Sequence, residues 1–192
     1  ESKGVSLWGK AQDSQRWKIF RLGTSSHNVL MIDGQPQRVE ADARIVVART
    51  GRTVVDTSAI YQGQLAKALR GVVLQPDRTV CVQDEFTTLG KATTVRWAMV
   101  THADVKVDGP GRATLSQAGK KLGFRVLEPA DAGLKIYQTD PPPSELDARN
   151  PGTRMIGFEV QVTAGKTQRL VVQLVPQSVK VAAAVISPLA EW

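Results

Sequence analysis

The stretch Thr93-Thr94-Val95-Arg96-Trp97-Ala98-Met99-Val100 decides the fold class. Val95, Trp97 and Met99 fall at every second position, and Arg96 and Ala98 lie between them. Because successive side chains of a β-strand point to opposite faces, this period of two predicts a strand with one apolar face. The same pattern recurs from one end of the chain to the other.

Short turns separate the other predicted strands. Asp33-Gly34 predicts a hairpin between residues 29–32 and 35–39, because Asp-Gly readily adopts the positive φ values of a tight turn. Gly51-Arg52, residues 75–78 and residues 108–111 are further turn or breaker segments. The remaining predicted strands are residues 16–22, 44–48, 53–57, 71–74, 79–82, 105–107, 121–127, 134–137, 155–162, 170–175 and 179–186.

About a dozen strands at this spacing predict an all-β fold, an antiparallel β-sandwich, rather than βαβ units. The chain of 192 residues is long enough for one such domain, and we expect residues 1–192 to form it. Residues 61–70 are the single helix candidate, with a buried turn as the equal alternative. Pro141-Pro142-Pro143 forbids regular pairing, so residues 138–153 are expected to form a long surface loop.

Composition excludes several classes of protein. No apolar run approaches the roughly 18 residues of a membrane span. A single cysteine, Cys81, excludes an internal disulfide framework, and two histidines exclude most self-contained metal catalysis. No signal peptide is visible at Glu1, so we expect that it was removed or that the chain begins inside a larger protein.

The net charge of +7 favours a polyanionic partner, with a basic surface kept for solubility as the alternative. Nucleic acid is disfavoured. Only four Phe and two Tyr are available for base stacking, and no nucleic-acid-binding motif is present.

Two histidines are candidates for chemistry. His27, before the apolar residues 29–32, is compatible with a metal ligand, a base or a hydrogen-bonded structural residue, and the last is favoured. His102, next to Ala103-Asp104 at a strand end, is compatible with proton transfer, but a solvated loop residue is favoured.

Other candidates carry weaker signals. Asp84 and Glu85 are adjacent on a predicted strand, so they face opposite ways and are expected to be solvated at its end. Arg96 is expected to form a cross-strand charge pair on an exposed face. Cys81 is expected to be inert in the core.

One segment resembles a known family. Residues 27–37 match the form His-Asn-x-Leu-x-Ile-Asp-Gly-x-x-Gln, which is characteristic of the heparinase II/III family of polysaccharide lyases. Further pieces between residues 16 and 127 resemble the family in the same order, one upstream of this segment and the others downstream. They are Arg16-Trp17, Tyr61, residues 69–72, residues 82–86, residues 95–99 and residues 101–103.

The resemblance implies a fold and a reaction. Members of the family join an N-terminal α/α toroid to a C-terminal β-sandwich region, and this chain resembles the sandwich region alone. They cleave uronic-acid-containing polysaccharides by β-elimination, in which a base removes the C5 proton and an acid protonates the leaving oxygen at C4. The family's catalytic residues match no motif here, so the chain is expected to be catalytically incomplete on its own. A periplasmic or secreted location follows from the same resemblance.

The resemblance also implies a metal. In several members the histidine of the His-Asn element binds zinc, so His27 is expected to be a zinc ligand, with the other ligands outside this chain. Because a tetrahedral site needs three or four protein ligands, His27 alone would hold zinc weakly. Arg21 and Arg38, near the same edge, are expected to attract the polyanion.

Three functions remain open. The first is the sandwich region of a lyase that acts on a heparan-type glycan, alginate or another polyuronide. The alternative is a non-catalytic basic module that binds acidic glycans, and the third is a purely structural sandwich. If the isolated chain proves active, His102, Tyr61 and Tyr137 become the candidates for its acid and base.

Overall fold

The computed structural model describes residues 4, 6–142, 145, 147–179 and 186–192. These residues form twelve β-strands and four short 3-10 helices, and the described part contains no α-helix. The 3-10 helices are Gln15–Lys18, Thr24–Ser26, Ser58–Tyr61 and Leu189–Glu191. The strands are β1 Leu30–Ile32, β2 Arg44–Arg49, β3 Arg52–Asp56, β4 Leu65–Leu74, β5 Val80–Thr88, β6 Thr93–Thr101, β7 Asp104–Gly109, β8 Arg112–Gln117, β9 Lys120–Glu128, β10 Lys135–Tyr137, β11 Arg154–Val162 and β12 Thr167–Pro176.

The strands form two antiparallel sheets. The smaller sheet has the order β1-β6-β11-β10, and the larger has the order β2-β3-β4-β5-β12-β9-β8-β7. The predicted antiparallel sandwich of about a dozen strands is therefore confirmed. β6 lies in the smaller sheet between β1 and β11, with Trp97 opposite Leu30 on one side and opposite Phe158 on the other.

The core lies between the two sheets and is centred on Trp97. Its ring lies 5.8 Å from Phe124 of β9 and 5.9 Å from Phe158 of β11, measured between ring centroids. Phe124, Phe158 and Phe86 are fully buried. Each buried side chain of this size contributes roughly 2–3 kcal/mol by leaving water, and the rings connect both sheets. The predicted apolar face of residues 93–100 is thus the centre of the core.

The larger sheet extends beyond the smaller one. On its inner face, Ile45 of β2 and Val72 and Leu74 of β4 are 67%, 40% and 54% exposed. On its outer face, Leu189 and Trp192 from the end of the chain cover Val54 of β3 and form a second apolar cluster. An added Cβ at Gly71 would lie 2.3 Å from a Leu189 methyl carbon, so only glycine allows this close contact.

The strand predicted at residues 16–22 is wrong. Residues Gln15–Lys18 form a 3-10 helix, and further turns follow, in which both Leu22 N and Gly23 N donate to Ile19 O. Most of the observed backbone hydrogen bonds of this segment are local, and Phe20 N donates to the side chain of Asp147, so none of them is made to a neighbouring strand. The apparent alternation reflects Ile19, which alone is buried.

The predicted hairpin at residues 29–39 is half correct. Asp33 and Gly34 adopt φ values of 49° and 70°, which confirms the turn. The return strand does not form beyond a single bridge between Ile32 and Gln35. Its next backbone donors bind elsewhere: Gln37 N donates to Thr24 Oγ1, and Arg38 N donates to Ile60 O.

The helix candidate at residues 61–70 is also wrong. A 3-10 helix ends at Tyr61, and the extended strand β4 begins at Leu65. The register shifts between Leu65 and Lys67, so Leu65 and Ala68 both become buried although they are three residues apart. A β-bulge therefore produced the spacing that resembled a helix.

The remaining strand predictions differ in outcome. β8 was not predicted, because its inward residues are only Ala113 and Leu115 among polar neighbours. The last predicted strand, residues 179–186, lies largely outside the described residues. The other predicted strands coincide with observed ones, most of which are longer. The predicted loop at residues 138–153 connects β10 to β11 in irregular conformation where it is described.

Candidate functional site

The family-like segment, residues 27–37, begins after the 3-10 helix Thr24–Ser26 and passes through β1 to the Asp33-Gly34 turn. Leu30 and Ile32 are buried in the core, which explains the two apolar positions of the motif. Asn28, Asp33 and Gln37 are polar, and each makes hydrogen bonds to other elements. Most of the motif therefore has a structural role.

Asn28 connects β1 to both sheets. Its side-chain Oδ1 accepts a hydrogen bond of 2.8 Å from the backbone N–H of Val100 in β6. Its backbone oxygen accepts a hydrogen bond from Arg70 Nη1 of β4. The backbone immediately after His27 is thereby held at two points.

Arg70 of β4 and Asp84 of β5 are cross-strand neighbours that form an ion pair on the inner face of the larger sheet. Arg70 Nε and Nη2 donate to the two carboxylate oxygens of Asp84 at 2.7 and 2.9 Å. Trp97 Nε1 donates to Asp84 Oδ2 at 3.1 Å, and the Asp84 side chain is only 3% exposed. Burial lowers the pKa of Arg70, but the charge of Asp84 and the hydrogen bonds to it together raise that pKa overall.

Tyr61 joins the same region from the other side of β1. Its hydroxyl donates to Leu30 O at 3.0 Å and accepts a hydrogen bond from Gln37 Nε2 at 2.8 Å. The residue is 3% exposed, and burial raises the pKa of its hydroxyl to about 12. Tyr61 is therefore a buried structural residue that stays protonated at neutral pH.

Asp33 holds the turn after β1 against β6. Its Oδ1 accepts a 2.8 Å hydrogen bond from Thr94 N, and its Oδ2 pairs with Lys91 Nζ at 2.8 Å. The hydrogen bond from Lys91 is the main reason that the pKa of Asp33 lies below its usual value. The Asp-Gly pair thus specifies both the turn and its attachment.

His27 is one of the exposed residues of the motif. It lines a cleft of about 290 Å³ over the outer side of the smaller sheet. Arg21 lines the same cleft, as do Val100 of β6 and Asn150 and Thr153 of the loop before β11. The cleft brings together a histidine, an arginine and the predicted long loop. It is the candidate functional site.

The other predicted residues of this region, His102 and Arg38, do not line the His27 cleft. His102 is exposed beside the turn at residue 152, where an added Cβ on Gly152 would lie 3.9 Å from its Nδ1. Arg38 does not reach the His27 cleft. It hydrogen bonds to Gln62 and lines a different cavity with Glu40, Asp42 and Asp56. The structure therefore joins Arg21, and not Arg38, to His27.

Arg96 and Tyr137 meet on the outer face of the smaller sheet. The Arg96 guanidinium lies 5.2 Å from the Tyr137 ring centroid and donates to Ser25 O. The predicted cross-strand charge pair of Arg96 is wrong: Glu159 is its cross-strand neighbour, but Glu159 pairs with Lys135 at 2.7 Å, and Arg96 is only partly exposed. Burial raises the pKa of Tyr137 to about 12, which keeps its hydroxyl protonated.

The predictions for Asp84 and Cys81 have opposite outcomes. Asp84 is not a solvated strand end, because β5 continues to Thr88 and carries Asp84 into the core. Glu85 faces the other way, as predicted, and accepts a hydrogen bond from Leu189 N. Cys81 is buried, and burial raises the pKa of its thiol to about 11, so the expectation of an inert thiol agrees with the structure.

The ion pair between Arg70 and Asp84 was missed by the sequence analysis. A signal was present, because Asp84 alternates with Val82 and Phe86 on the apolar face of its strand. A carboxylate in that position requires a buried partner. Nothing in the local sequence identified Arg70 as that partner.

No group of three or more His, Cys, Asp or Glu side chains within the described ranges is arranged to hold a metal ion. His27 is therefore not part of a complete ligand set formed by these residues. Among the same residues, no helix is long and apolar enough to cross a membrane.

Comparison with solved structures shows what the fold is similar to. A heparinase III structure superposes with a TM-score of 0.67 at 16% identity, over 92% of this chain and 27% of that one. Heparan sulfate lyase HepC from Pedobacter heparinus gives 0.64 at 16% identity, over 91% and 28% of the two chains. A second heparinase III, the BT4657 gene product, gives 0.65 at 14% identity, over 91% and 27%.

The chain thus spans a little more than a quarter of the length of these lyases. At this level of identity the likeness shows only that this chain shares its fold with part of these proteins. No protein-family model matches the sequence, and comparison with curated protein sequences gives no match.

Proposed function

We propose that this chain is the C-terminal β-sandwich region of a heparinase II/III-like lyase that cleaves uronic-acid-containing polysaccharide by β-elimination. The observation that carries the proposal is the likeness over 92% of this chain to 27% of heparinase III. The motif at residues 27–37 supports it independently, because its polar residues hold one exposed histidine at a cleft.

The reaction needs a base for the C5 proton, an acid for the C4 oxygen and a cationic group near the uronate carboxylate. Arg21 is suited to the last of these tasks, because it lines the His27 cleft and is exposed. Burial raises the pKa values of Tyr61 and Tyr137 to about 12, so both hydroxyls are protonated at neutral pH and neither is available as a base. These properties support a sandwich region that is catalytically incomplete alone.

The proposal includes zinc, with His27 as one ligand. The described residues form no group of three or more His, Cys, Asp or Glu side chains that could hold a metal, so the other ligands would come from elsewhere in the longer protein. Zinc there would supply a fixed cross-link beside the cleft. His27 is exposed and Asn28 anchors the backbone beside it, which suits a ligand presented to a second domain.

The partners follow from the same proposal. They are an acidic polysaccharide and an N-terminal helical toroid domain, in a periplasmic or secreted protein. Ile45, Val72 and Leu74 are exposed on the inner face of the larger sheet, and a covering domain would bury them.

The test compares this 192-residue chain with a longer product of the same gene. Each is incubated with heparan sulfate, alginate and other polyuronides, and the new C4–C5 double bond is followed by absorbance. We expect turnover only from the longer protein. Turnover by the isolated chain would contradict its incompleteness, and glycan binding without turnover by the longer protein would favour the non-catalytic module.

A histidine pair tests the site. In the longer protein, His27→Ala is expected to lose both bound zinc and turnover, whereas His102→Ala is the matched control at the neighbouring exposed histidine. Metal content, measured by elemental analysis, separates a loss of bound zinc from a loss of turnover with another cause. Equal zinc content in the two variants and the parent would refute the role of His27 as a ligand.

A further inference from the structure

The outer face of β8 and β9 carries a cluster of basic side chains on the opposite sheet from the His27 cleft. We name this cluster the basic groove. Its members on the outer face are Arg112, Lys121 and Arg125, and two further members, Arg78 from the turn before β5 and Lys120 from the start of β9, line a depression that shares Lys121. All five are exposed. None of their side chains has a hydrogen-bond or ion-pair partner among the described residues.

Two of these cations oppose each other directly. Arg112 of β8 and Arg125 of β9 are cross-strand partners, and like charges in that position destabilise a sheet. Two carboxylates near this face are already engaged: Asp108 of β7 by Lys106 at 3.5 Å and by Thr114 Oγ1 at 2.7 Å, and Glu128 of β9 by Arg169 at 2.6 Å. The free protein therefore carries an unfavourable charge arrangement that a bound anion would relieve.

The surface between the cations is concave. Gly123 lies between Lys121 and Arg125 on β9, opposite Thr114, and its missing side chain leaves a groove of about 210 Å³. A larger depression of about 690 Å³, which includes Arg78 and Lys120, shares Lys121, Pro176 and Gln177 with it. An added Cβ on Gly123 would make only ordinary contacts with Val175, at 3.5 Å or more, so packing does not require glycine there.

We propose that the basic groove binds the sulfate or carboxylate groups of an extended acidic glycan, at a site separate from the His27 cleft. Lys121 and Arg125 are four residues apart on one strand, about 13 Å, which suits successive anionic groups of a polymer. None of the residues that line the groove is aromatic, so the surface offers no platform for nucleic-acid bases.

The glycan class rests on the proposed function, but the site does not, because it lies on the other sheet and needs no second domain. The site can therefore be tested on this chain alone. Its failure would leave the turnover assay of the longer protein unaffected, and a failure of that assay would leave this site intact.

The probes are labelled heparin oligosaccharides, alginate oligosaccharides and a single-stranded DNA of similar charge, followed by fluorescence anisotropy at several salt concentrations. The variants are Arg112→Gln with Arg125→Gln, and Gly123→Val, which fills the groove without changing charge. The control is Arg44→Gln with Arg49→Gln, which removes two exposed charges from β2 at the far edge of the same sheet.

We expect the Arg112/Arg125 variant to bind glycan about tenfold more weakly, since each exposed cation contributes a few-fold. The number of counterions released on binding, taken from the slope of the logarithm of the binding constant against the logarithm of the salt concentration, should fall by about two. Gly123→Val should weaken binding in the same direction. Relief of the charge repulsion should also raise the unfolding midpoint of the free Arg112/Arg125 variant.

Several results would overturn the proposal. They are no glycan binding by the parent chain, equal weakening by the Arg44/Arg49 control, or DNA binding as tight as heparin binding at the same residues. A lower unfolding midpoint for the Arg112/Arg125 variant would indicate a structural pair instead. If the parent chain binds heparin but not alginate, or alginate but not heparin, the result would support the site and identify the anionic group.

Discussion

Asp84 is the acceptor on which the polar network between the sheets depends. Its two oxygens receive hydrogen bonds from Arg70 and Trp97, and Arg70 in turn holds the Asn28 backbone beside His27. A buried ion pair adds little net stability over an apolar pair, but loss of one partner leaves an uncompensated charge. The network therefore orients the start of β1 more than it strengthens the core.

Asp84→Asn should strongly destabilise the chain, because the Arg70 guanidinium then lacks its carboxylate. We expect a loss of about 3 kcal/mol in the free energy of unfolding in urea. Asp42→Asn, at an exposed position without a partner among the described residues, is the control and should change it by less than about 0.5 kcal/mol. Similar losses in both variants would contradict the importance of the pair.

Asp33 predicts a pH dependence. The pKa of Asp33 is lowered in the folded state, so its contribution is complete above the ordinary value of 3.8 and is lost as the pH falls through the lowered folded pKa. Asp33→Asn keeps an acceptor for Thr94 N but loses the Lys91 ion pair. It should therefore cost at most about 1 kcal/mol at neutral pH and make stability less dependent on pH below 3.8.

The measurement for Asp33 is the free energy of unfolding across acidic and neutral pH. Asp13→Asn serves as its control, since Asp13 is exposed and has no partner among the described residues. An acid limb that is as steep in Asp33→Asn as in the parent would show that this carboxylate makes no such contribution.

At the scale of elements, β6 and β11 form the longest pairing of the smaller sheet, from Thr93 opposite Val162 to Thr101 opposite Arg154. The two strands approach closely at Gly157, where an added Cβ would lie 2.2 Å from Trp97 O. No side chain fits at that distance without a shift of the β6 backbone. Gly157 is therefore a packing requirement of this pair.

Gly157→Ala should destabilise the chain by about 2 kcal/mol or more, because the added methyl group forces the strands apart. Gly90→Ala is the matched control, since nothing lies within 4 Å of its added Cβ and its φ is not positive. Thermal unfolding followed by circular dichroism compares the two variants. A Gly157→Ala midpoint equal to that of the control would show that the strands separate without cost.

At the scale of the whole molecule, the described residues form two apolar clusters, one on each face of the larger sheet. Trp97 belongs to the cluster between the sheets, and Trp192 belongs to the cluster with Val54 and Leu189. β4 contributes to both, through Ala68 on one face and Leu69 on the other. This shared strand is the physical reason to propose that residues 1–192 behave as a single domain.

We expect one cooperative unfolding transition. A variant with Trp8, Trp17 and Trp192 each changed to Phe retains Trp97 as its only indole probe. The midpoint of Trp97 fluorescence in urea should coincide with that of far-ultraviolet circular dichroism, which includes β2, β3 and β4. Loss of circular dichroism before the change in fluorescence would show that the outer strands unfold separately.

The fold class was predictable because the alternation of apolar and polar residues, which marks a strand with one buried face, is visible within a few adjacent residues. Val95 and Trp97 alternate with exposed or polar positions, and Asp33-Gly34 specifies a positive-φ turn without reference to distant residues. The segment at residues 27–37 likewise identified the location of the cleft through His27. Each of these signals depends on only a few adjacent residues.

Tertiary structure alone decided which strands pair with each other and which polar side chains come into contact. The backbone donors after the Asp33-Gly34 turn bind Thr24 and the Ile60 carbonyl, so the return strand never forms. A β-bulge gives Leu65 and Ala68 a helical spacing within a strand. Arg70, Asp84 and Trp97 come from three strands, and Arg112 opposes Arg125, because long-range register sets these distances, and register is a property of the whole sandwich.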